Sequence, residues 1–400
     1  MGVTEAFEAE ALQAPLVPGG VLAFDAGNSK TDVALVAADG TVLGTARGGG
    51  FEPHLIGAQA AVDGLVPLVM EAARAAGLAV GPGFRPLAGG EANAGLATDA
   101  VAEGDRRFRG GGAISNHPPA VAEGDRRFAA GGAPSPIPLV EQISACLANA
   151  DLAIEEERLA EAFRSYGWAS RVHVANDTFA LLRAGIDEPR GVAVVCGAGI
   201  NCCGLLPDGR TARFPAVGKI SGDWGGGQQL AEEAIWAAAR ADDGRGPATA
   251  LKTALPQHYG VRSMTELIEA MHLGGIPVVR RLEAVPVLFQ VATAGDEVAA
   301  AIVHRQAEEI VAMATVALRR LDLLDVPTPV ILGGGVLTAN HPLLLRQITT
   351  QLTAAAPHAI PQIVEVPPVV GAILLGLDHT EAAPEAHRAI RTTYRTNRPA

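Results

Sequence analysis

Residues Gly191 to Gly227 read GVAVVCGAGINCCGLLPDGRTARFPAVGKISGDWGGG. Their first part, Val192 to Cys196, has the length and the β-branched content of a buried strand. A glycine loop at Gly197 to Gly199 leads into a second apolar run, which ends at the strong turn sequence Pro207-Asp208-Gly209. A strand, a glycine loop and a returning strand present backbone N–H groups to an anion at the loop.

The same pattern occurs a second time near the N-terminus. Residues Val21 to Gly50 read VLAFDAGNSKTDVALVAADGTVLGTARGGG, which is an apolar run, a small polar loop, a strand and a hairpin turn at Asp39-Gly40. Two copies of one supersecondary unit predict two related domains that face each other across a cleft, with a nucleotide phosphate chain held between the two loops. Two ordinary hairpins with glycine turns remain the alternative, because one glycine-rich turn is weak evidence.

Length and composition limit the classes of protein. The 400 residues leave room for two or three domains. The net charge of −12 argues against nucleic acid as a main partner, since phosphate binding needs basic surface. The four cysteines show no CxxC spacing, which indicates free thiols in a reducing cytoplasm. No apolar run approaches the roughly 18 residues of a membrane span, so no membrane partner is expected.

The expected domain organisation follows the two copies. Residues 1–19 are predicted to be a mobile tail, 20–185 an N-terminal domain, 186–380 a C-terminal domain whose last helix packs back toward the N-terminal one, and 381–400 a second tail. An insertion is predicted at about 81–138, which is rich in Gly, Ala, Pro and Arg and repeats AVAEGDRRF at a period of 20 residues. A flexible surface insertion and an arginine-bearing interaction loop both remain open.

Periodicity predicts the remaining elements. Amphipathic segments predict a helix over 55–78, interrupted by Gly64 and Pro67, and a long helix over 297–321. Further helices are predicted at 154–166, 178–185, 228–240, 340–352 and 369–377, with two more within 247–273. Apolar runs predict strands at 143–147, 171–174, 329–332 and 362–366.

The first loop carries residues suited to a metal ion and to phosphates. Asp25 closes an apolar strand, where a carboxylate can hold Mg²⁺ directly or through water, or form an Asx-turn. Asn28, Ser29, Lys30 and Thr31 supply an amide, two hydroxyls and a cation for phosphate oxygens. This loop is therefore the first candidate phosphate site.

Two more aspartates and a glycine run are candidate site residues. Asp177 stands between a strand and a helix, where it is either a general base for a hydroxyl or the N-cap of the helix. Asp223 lies between glycines that let the backbone approach a ligand, or is a solvated loop carboxylate. Gly333 to Gly335 follow a buried strand and either let a flat ring approach the backbone or form a tight turn.

Taken together, these motifs resemble the BadF/BadG/BcrA/BcrD group of the actin-like ATPase superfamily, and within it the N-acetylglucosamine kinases. FDAGNSKTDVALVAADG resembles the first phosphate motif, CGAGINCCGLLPDG the second, VILGGGVL the adenosine motif and VGKISGDWGGG the sugar-binding loop. The resemblance implies an α/β fold of two ribonuclease H-like (actin-like ATPase) domains with mixed central sheets facing an interdomain cleft.

The resemblance also implies roles for individual residues. Asp25 is implied to face the metal, and Asp177 is implied to be the catalytic base. ATP is implied to contact Gly27, Asn28, Ser29, Lys30, Thr31, Ala198, Gly199, Gly333, Gly334 and Gly335. The sugar is implied to contact Glu52, His54, Asn176, Asp177, Gly218 and Asp223.

The sugar pocket departs from the family pattern at three places, one of which is the family's Gly-Trp-Gly, here Ala216-Val217-Gly218. The family's Thr-Asn-His contact is Phe51-Glu52-Pro53 here, and its Gly-Asp-Glu-Gly is Gly222-Asp223-Trp224-Gly225. The implied activity is phosphorylation of N-acetylglucosamine or a related amino sugar with ATP and Mg²⁺, by a cytoplasmic enzyme that is compatible with a homodimer. The alternative is an ATPase that drives a conformational or redox change in a partner protein without phosphorylating a sugar.

Overall fold

The computed structural model describes residues 15–78, 138–364 and 366–396. The prediction of a mobile tail therefore lies largely outside the described residues, and so does the predicted insertion apart from Pro138. Within the described ranges the chain forms two five-stranded sheets with helices packed on their faces.

The first sheet comes from the N-terminal half of the chain. Its strands are β1 (Val17–Ala26), β2 (Thr31–Val36), β3 (Val42–Gly48), β4 (Val140–Leu147) and β5 (Ala169–Asn176). Their order is β3-β2-β1-β4-β5. Only β2 runs against its neighbours, whereas β1, β4 and β5 are parallel.

The second sheet repeats the first strand for strand. It contains β6 (Gly191–Cys196), β7 (Ile200–Leu205), β8 (Thr211–Arg213), β9 (Thr328–Gly333) and β10 (Ala359–Ile363). The order β8-β7-β6-β9-β10 and the strand directions match those of the first sheet. The predicted α/β class with two mixed sheets is confirmed.

Most of the helices agree with the sequence pattern. The N-terminal half contains α1 (Pro53–Ile56), α2 (Ala58–Asp63), α3 (Val66–Ala75), α4 (Ala153–Arg164) and α5 (Asp177–Gly185). The C-terminal half contains α6 (Gly226–Asp242), α7 (Leu251–Tyr259), α8 (Met264–His272), α9 (Ala284–Thr293), α10 (Glu297–Arg320), α11 (Gly335–Thr338), α12 (Pro342–Ala355), α13 (Pro368–His379) and α14 (Pro384–Thr396). The sequence analysis missed α9, and it read α14 as a polar tail.

The predicted interruption of the helix over 55–78 is present. Gly64 is the C-cap of α2, and Pro67 stands in the first turn of α3, where its missing N–H is tolerated. Among the described helices, none is by itself both long and apolar enough to span a membrane. The segments Val278–Thr293 and Glu297–Arg320 reach that threshold only as a pair bent by 112°.

Three buried clusters divide the molecule into layers. The outer face of the first sheet packs against α2, α3 and α4 around Phe24, Phe163 and Trp168. The two sheets share a middle layer formed by α5 and α13, and α5 contacts strands of both sheets. The outer face of the second sheet packs against a helical layer centred on α10. The helix that begins at Asp177 is therefore held between the two sheets.

The registers of the parallel strands bring the candidate loops together. In the first sheet, Asp25 pairs with Cys146, and Leu147 pairs with Asn176. In the second sheet, β6 and β9 end side by side, with Val195 paired to Gly333. Loops that leave the carboxyl ends of neighbouring parallel strands meet at one edge of a sheet, which is where ligands bind in open α/β folds.

Candidate active site

The first phosphate loop, Gly27 to Lys30, is a compact turn between β1 and β2. The Gly27 N–H donates to the Lys30 carbonyl at 2.8 Å, and the Phe51 N–H donates to the Gly27 carbonyl at 3.0 Å. The exposed Asn28 accepts a hydrogen bond from Asn149 Nδ2 at 2.7 Å, which links this loop to the segment after β4. The turn is therefore held from two sides.

The charged side chains of this loop are already paired. Lys30 Nζ donates to Asp32 Oδ2 at 3.0 Å, and Arg47 Nε donates to Asp32 Oδ1 at 2.5 Å. Burial alone would raise the pKa of Asp32, but these two donors outweigh it and lower the pKa. Ser29 is exposed, whereas the Thr31 hydroxyl is buried without a hydrogen-bond partner among the described residues. Thr31 thus retains an unused donor in the loop.

Asp25 lies at the end of β1 and is only 6% exposed. Burial, and after it the nearby charge of Asp177, raise its pKa to about 7, although Lys30 and Arg47 oppose the shift. A carboxylate in this setting is stabilised by a cation beside it. Oxygen ligands of this kind suit Mg²⁺, so the site fits the predicted metal ion.

Asp177 is the first residue of α5, and it does not cap the helix. The cap is Asn176, whose Oδ1 accepts from the Thr178 N–H at 3.0 Å and from the Thr178 hydroxyl at 2.6 Å. Burial raises the pKa of Asp177 to about 6, although backbone hydrogen bonds from Thr178 and Asp177 oppose the shift. The N-cap interpretation of Asp177 is therefore wrong, because the capping oxygen belongs to Asn176.

A polar network that the sequence analysis missed surrounds Asn176. Asp151 Oδ1 accepts from Asn176 Nδ2 at 2.8 Å and from Asn201 Nδ2 at 3.4 Å. Asn201 Nδ2 also lies 3.2 Å from Asn176 Oδ1. Asn201 belongs to β7, so the network joins the two sheets. Asp151 follows the buried strand β4 by a few residues, and Asp25 lies at the end of the buried strand β1, so a carboxylate near the end of a buried strand was the available signal.

Asp151, Asp177 and Asp223 form an electrostatically coupled group. Burial raises the pKa of Asp151 to about 7, and the charges of Asp177, Glu155 and Asp223 add to the shift while Arg213 opposes it. Burial and neighbouring carboxylates therefore make Asp151 a weaker acid than usual at the junction of the two sheets.

The candidate sugar loop is anchored to α10. Gly218 starts a 3₁₀ turn over Gly218–Ser221 with a positive φ of 82°, and the Ser221 hydroxyl donates to Asp223. Next in the chain, the Trp224 ring lies 4.1 Å from the Arg305 guanidinium. The Gly226 N–H donates to Gln306 Oε1 at 2.9 Å. Asp223 is thus presented by a rigid turn on the second half of the molecule.

Glu52 and His54 are not brought into the same network. Both are exposed at the start of α1, and neither side chain forms a hydrogen bond or ion pair with a described residue. Glu52 lines a hollow of about 210 Å³ together with Thr31 and Gly48 to Gly50. Glu52 therefore lies beside the first loop, and neither Glu52 nor His54 belongs to the network around Asn176.

The second phosphate loop, Gly197 to Gly199, is fixed by backbone contacts. The Gly197 N–H donates to the Gly199 carbonyl at 2.9 Å, and the Gly227 N–H donates to the Gly197 carbonyl at 2.7 Å. A Cβ on Gly334, whose φ is +84°, would lie 2.6 Å from the Cys196 carbonyl carbon, so only glycine fits there. This close approach brings the loop after β9 against the second phosphate loop.

An apolar cavity of about 640 Å³ opens beside both loops. It is lined by Gly197, Ala198, Gly227, Leu282, Val285, Pro286, Phe289, Gln290, Gly335, Val336, Ala339 and His341. A Cβ built on Gly335 meets nothing within 4 Å, whereas Gly333 packs against Leu181 of α5 and does not line the cavity. The apolar lining of the cavity suits a flat heteroaromatic ring. Phosphates attached to such a ring would run along the glycine loops toward Asp25. The unpredicted helix α9 supplies one wall.

Comparison with known proteins identifies a family and two enzymes of known name. The model of the BadF/BadG/BcrA/BcrD ATPase family matches residues 22–376. The N-acetylmuramic acid/N-acetylglucosamine kinase of Clostridium acetobutylicum is 28% identical over 201 residues, which are 50% of this chain and 66% of that protein, just under two thirds. The N-acetyl-D-glucosamine kinase of Dictyostelium discoideum is 23% identical over 241 residues, 59% of this chain and 75% of that protein.

Solved structures share the fold. A Chromobacterium violaceum protein described as a candidate N-acetylglucosamine kinase aligns with a TM-score of 0.57 at 20% identity, covering 89% of this chain and 98% of that one. A Porphyromonas gingivalis protein with the same description aligns with a TM-score of 0.53 at 18% identity, covering 90% and 99%. At these identities the likeness establishes the two-sheet fold.

Proposed function

Because the chain belongs to the BadF/BadG/BcrA/BcrD ATPase family, we propose that it is an ATP-dependent kinase for N-acetylglucosamine or a related amino sugar. The two named relatives support a sugar as the phosphate acceptor. The kinase would comprise two domains, residues 20–185 and 186–380, with the nucleotide between them.

One observation carries the proposal: Asp177 is a partly buried carboxylate that is free of capping duty. Asn176 caps α5 in its place, so the Asp177 side chain is available to accept a proton. Its pKa of about 6, raised by burial, lies close to neutral pH, where a general base works best. It also lies within electrostatic reach of Asp25 at the end of β1.

The nucleotide would occupy the apolar cavity and both glycine loops. The adenine would lie between α9 and Gly335, and the phosphates would run along Gly197 to Gly199 toward Gly27 to Thr31. Backbone N–H groups and the unpaired Thr31 hydroxyl would donate to phosphate oxygens. Asp25 would hold Mg²⁺, which when bound neutralises charge on the β- and γ-phosphates.

In the proposed transfer step, the carboxylate of Asp177 is the general base. The sugar hydroxyl oxygen attacks the γ-phosphorus as the bond from that phosphorus to the β,γ-bridging oxygen breaks, and the hydroxyl proton passes to Asp177. The products are a sugar phosphate and ADP. Fixed donors in the two loops would stabilise the transferring group without reorganisation. Asp223, Gly218 and Asn176 are the proposed sugar-side residues, with Glu52 and His54 on the outer wall.

A substrate panel tests the proposal. The purified protein is incubated with ATP and Mg²⁺ in the presence of N-acetylglucosamine, glucosamine, N-acetylmannosamine, N-acetylmuramic acid or glucose. ADP release and the phosphorylated sugar are then measured together. We expect stoichiometric sugar phosphate with at least one amino sugar. ATP turnover that no sugar stimulates, with no phosphorylated product, would contradict the proposal and favour an ATPase that drives a partner protein.

The positions of the cysteines bear on the alternative of an ATPase that drives a redox change in a partner protein. Cys202 packs into the outer core of the second sheet, whereas Cys203 packs into the middle layer on the opposite face. All four cysteines of the chain are buried. Adjacent thiols on opposite faces of a strand cannot ligate one cluster together, so the chain offers no cysteine pair there for redox coupling.

A further inference from the structure

We propose that Asp151 is a positioning residue, which orients Asn176 and through it the base Asp177 against the second sheet. The inference rests on the proposed kinase function, because it concerns how the base of that reaction is held. Asp151 stands between β4 and α4, and none of the motifs in the sequence includes it.

Asp151 has no local duty that would explain its carboxylate. An aspartate just before a helix ordinarily caps it. Here the N-cap position of α4 is Leu152, and Glu155 Oε2 accepts from the N–H groups of Asp151 at 3.0 Å and Leu152 at 2.9 Å. The loop is also held by Arg213 of β8, which donates to Glu156 at 2.7 Å. The carboxylate of Asp151 is therefore left for contacts outside its own loop.

The hydrogen-bond partners of Asp151 are two amides from the two halves of the molecule. Asn176 Nδ2 donates at 2.8 Å from the end of β5, and Asn201 Nδ2 donates at 3.4 Å from β7. Asn201 is itself fixed, because its Oδ1 accepts from the Cys202 N–H at 2.7 Å. Asp151 Oδ1 thus accepts hydrogen bonds from residues of both sheets, next to the proposed base Asp177.

The chemistry of a carboxylate fixes the orientation of Asn176. Asp151 Oδ1 is the oxygen that faces Asn176 and it accepts hydrogen bonds there, so the nitrogen of the Asn176 amide must point toward it. The amide oxygen is then turned toward Thr178, where it caps α5. Reversing the amide would set two acceptors against each other and leave the Thr178 N–H unpaired. Asp151 therefore selects the amide orientation that starts α5, and with it the backbone that presents Asp177.

The test compares Asp151→Ala with Asp151→Asn. Alanine removes the acceptor, so kcat is expected to fall by about 10- to 100-fold, in the range that misplacement of a reacting group produces. ATP affinity is expected to stay unchanged. Asparagine can still turn its oxygen toward Asn176, so it is expected to retain most of the activity. If the alanine variant does not fold, Asp151→Ser replaces it, since its hydroxyl is too short to reach Asn176.

A double-mutant cycle tests whether Asp151 acts through Asn176. If it does, Asp151→Ala combined with Asn176→Ala is no slower than the slower single variant. The matched control is Asp296→Asn, a carboxylate that caps α10 and bonds Thr249 away from the cleft, and it is expected to keep wild-type kcat. Three results would overturn the inference. The first is a wild-type kcat in Asp151→Ala, and the second is an equal loss of kcat in Asp151→Asn and Asp151→Ala. The third is a double variant whose loss of kcat is the product of the two single losses.

Failure of the kinase proposal can be told apart from failure of this inference. If the wild-type protein phosphorylates no sugar, the proposed function is wrong, and hydrogen exchange of the Thr178 amide still tests the positioning. That amide should exchange faster in Asp151→Ala than in the wild type and in Asp296→Asn. Unchanged exchange would overturn the inference without reference to any substrate.

Discussion

At the scale of single residues, the ionisation of Asp177 sets the acid limit of activity. Burial raises the pKa of Asp177 to about 6, and a general base must be ionised to accept a proton. The kcat/KM for the sugar is therefore expected to be lost as the pH falls through about 6. Steady-state kinetics from pH 5 to 9, with ATP binding measured over the same range, check this. A rate that stays flat down to pH 5 would contradict the assignment.

Asp223 is expected to serve the sugar and not the nucleotide. It follows the 3₁₀ turn at Gly218–Ser221, and the large apolar cavity beside the glycine loops does not include it. Asp223→Ala should raise the sugar KM or abolish turnover while the Kd for ATP stays close to that of the wild type. Isothermal titration with ATP and sugar kinetics on one preparation separate the two sites. A tenfold loss of ATP affinity, about 1.4 kcal/mol, would move Asp223 into the nucleotide site.

The sequence identified strand-end carboxylates but could not assign their partners. Asp25 and Asp177 were found because each follows an apolar run, and an acidic side chain there faces the edge of a sheet. The sequence left Asp177 as a possible N-cap of α5, whereas the cap is Asn176, because asparagine and aspartate cap helices about equally well. The Asp151 network was missed because Asn201 lies 50 residues further along the chain, and only the folded strands bring the two together.

At the scale of elements, α5 depends on close packing against α13. A Cβ built on Gly371 of α13 would lie 1.7 Å from the carbonyl oxygen of Ala180 in α5. Gly371→Ala should therefore push α13 away from α5, lower the melting temperature and reduce kcat. The control is Gly64→Ala at the C-cap of α2, where the nearest atom to the new Cβ is at 3.2 Å and the backbone is helical. Thermal unfolding of both variants checks this, and equal melting temperatures would contradict it.

The start of α11 offers a separate test of the nucleotide cavity. Gly335 lines that cavity, and a Cβ there meets nothing within 4 Å, so larger side chains should be tolerated by the fold. We expect Gly335→Ala to bind ATP almost normally and Gly335→Leu to lose at least about tenfold in affinity, or 1.4 kcal/mol. Both variants should melt as the wild type does. Normal ATP affinity in Gly335→Leu would place the nucleotide elsewhere.

Helices α9 and α14 escaped the sequence analysis for opposite reasons. Most of α9 is apolar and buried, including Val287, Leu288 and Phe289 in succession, so it lacks the polar face that reveals an amphipathic helix. In contrast, α14 buries only a narrow stripe at Ala386 and Ile390, too little to be distinguished from a solvated segment. Tertiary packing, and not local pattern, determines both helices.

At the scale of the whole molecule, the repeated strand order was the most predictable feature. The two copies seen in the sequence became two sheets with identical order and direction, because each hairpin is encoded locally by its turn and its apolar runs. The packing of α5 against α13 in the layer between the sheets was not predictable. It relies on long-range contacts such as the Arg183–Asp378 ion pair, at 2.7 Å across 195 residues, which anchors the end of α5 to α13.

The most direct test of the account is the Asp177→Asn variant of the intact protein. Asparagine keeps the shape of the side chain but cannot accept the proton of a sugar hydroxyl, and Asn176 still caps α5. We predict wild-type thermal unfolding, wild-type ATP affinity and a loss of at least about a hundredfold in kcat. Turnover close to that of the wild type, in a variant that folds and binds ATP normally, would contradict the assignment of Asp177 as the base of a sugar kinase.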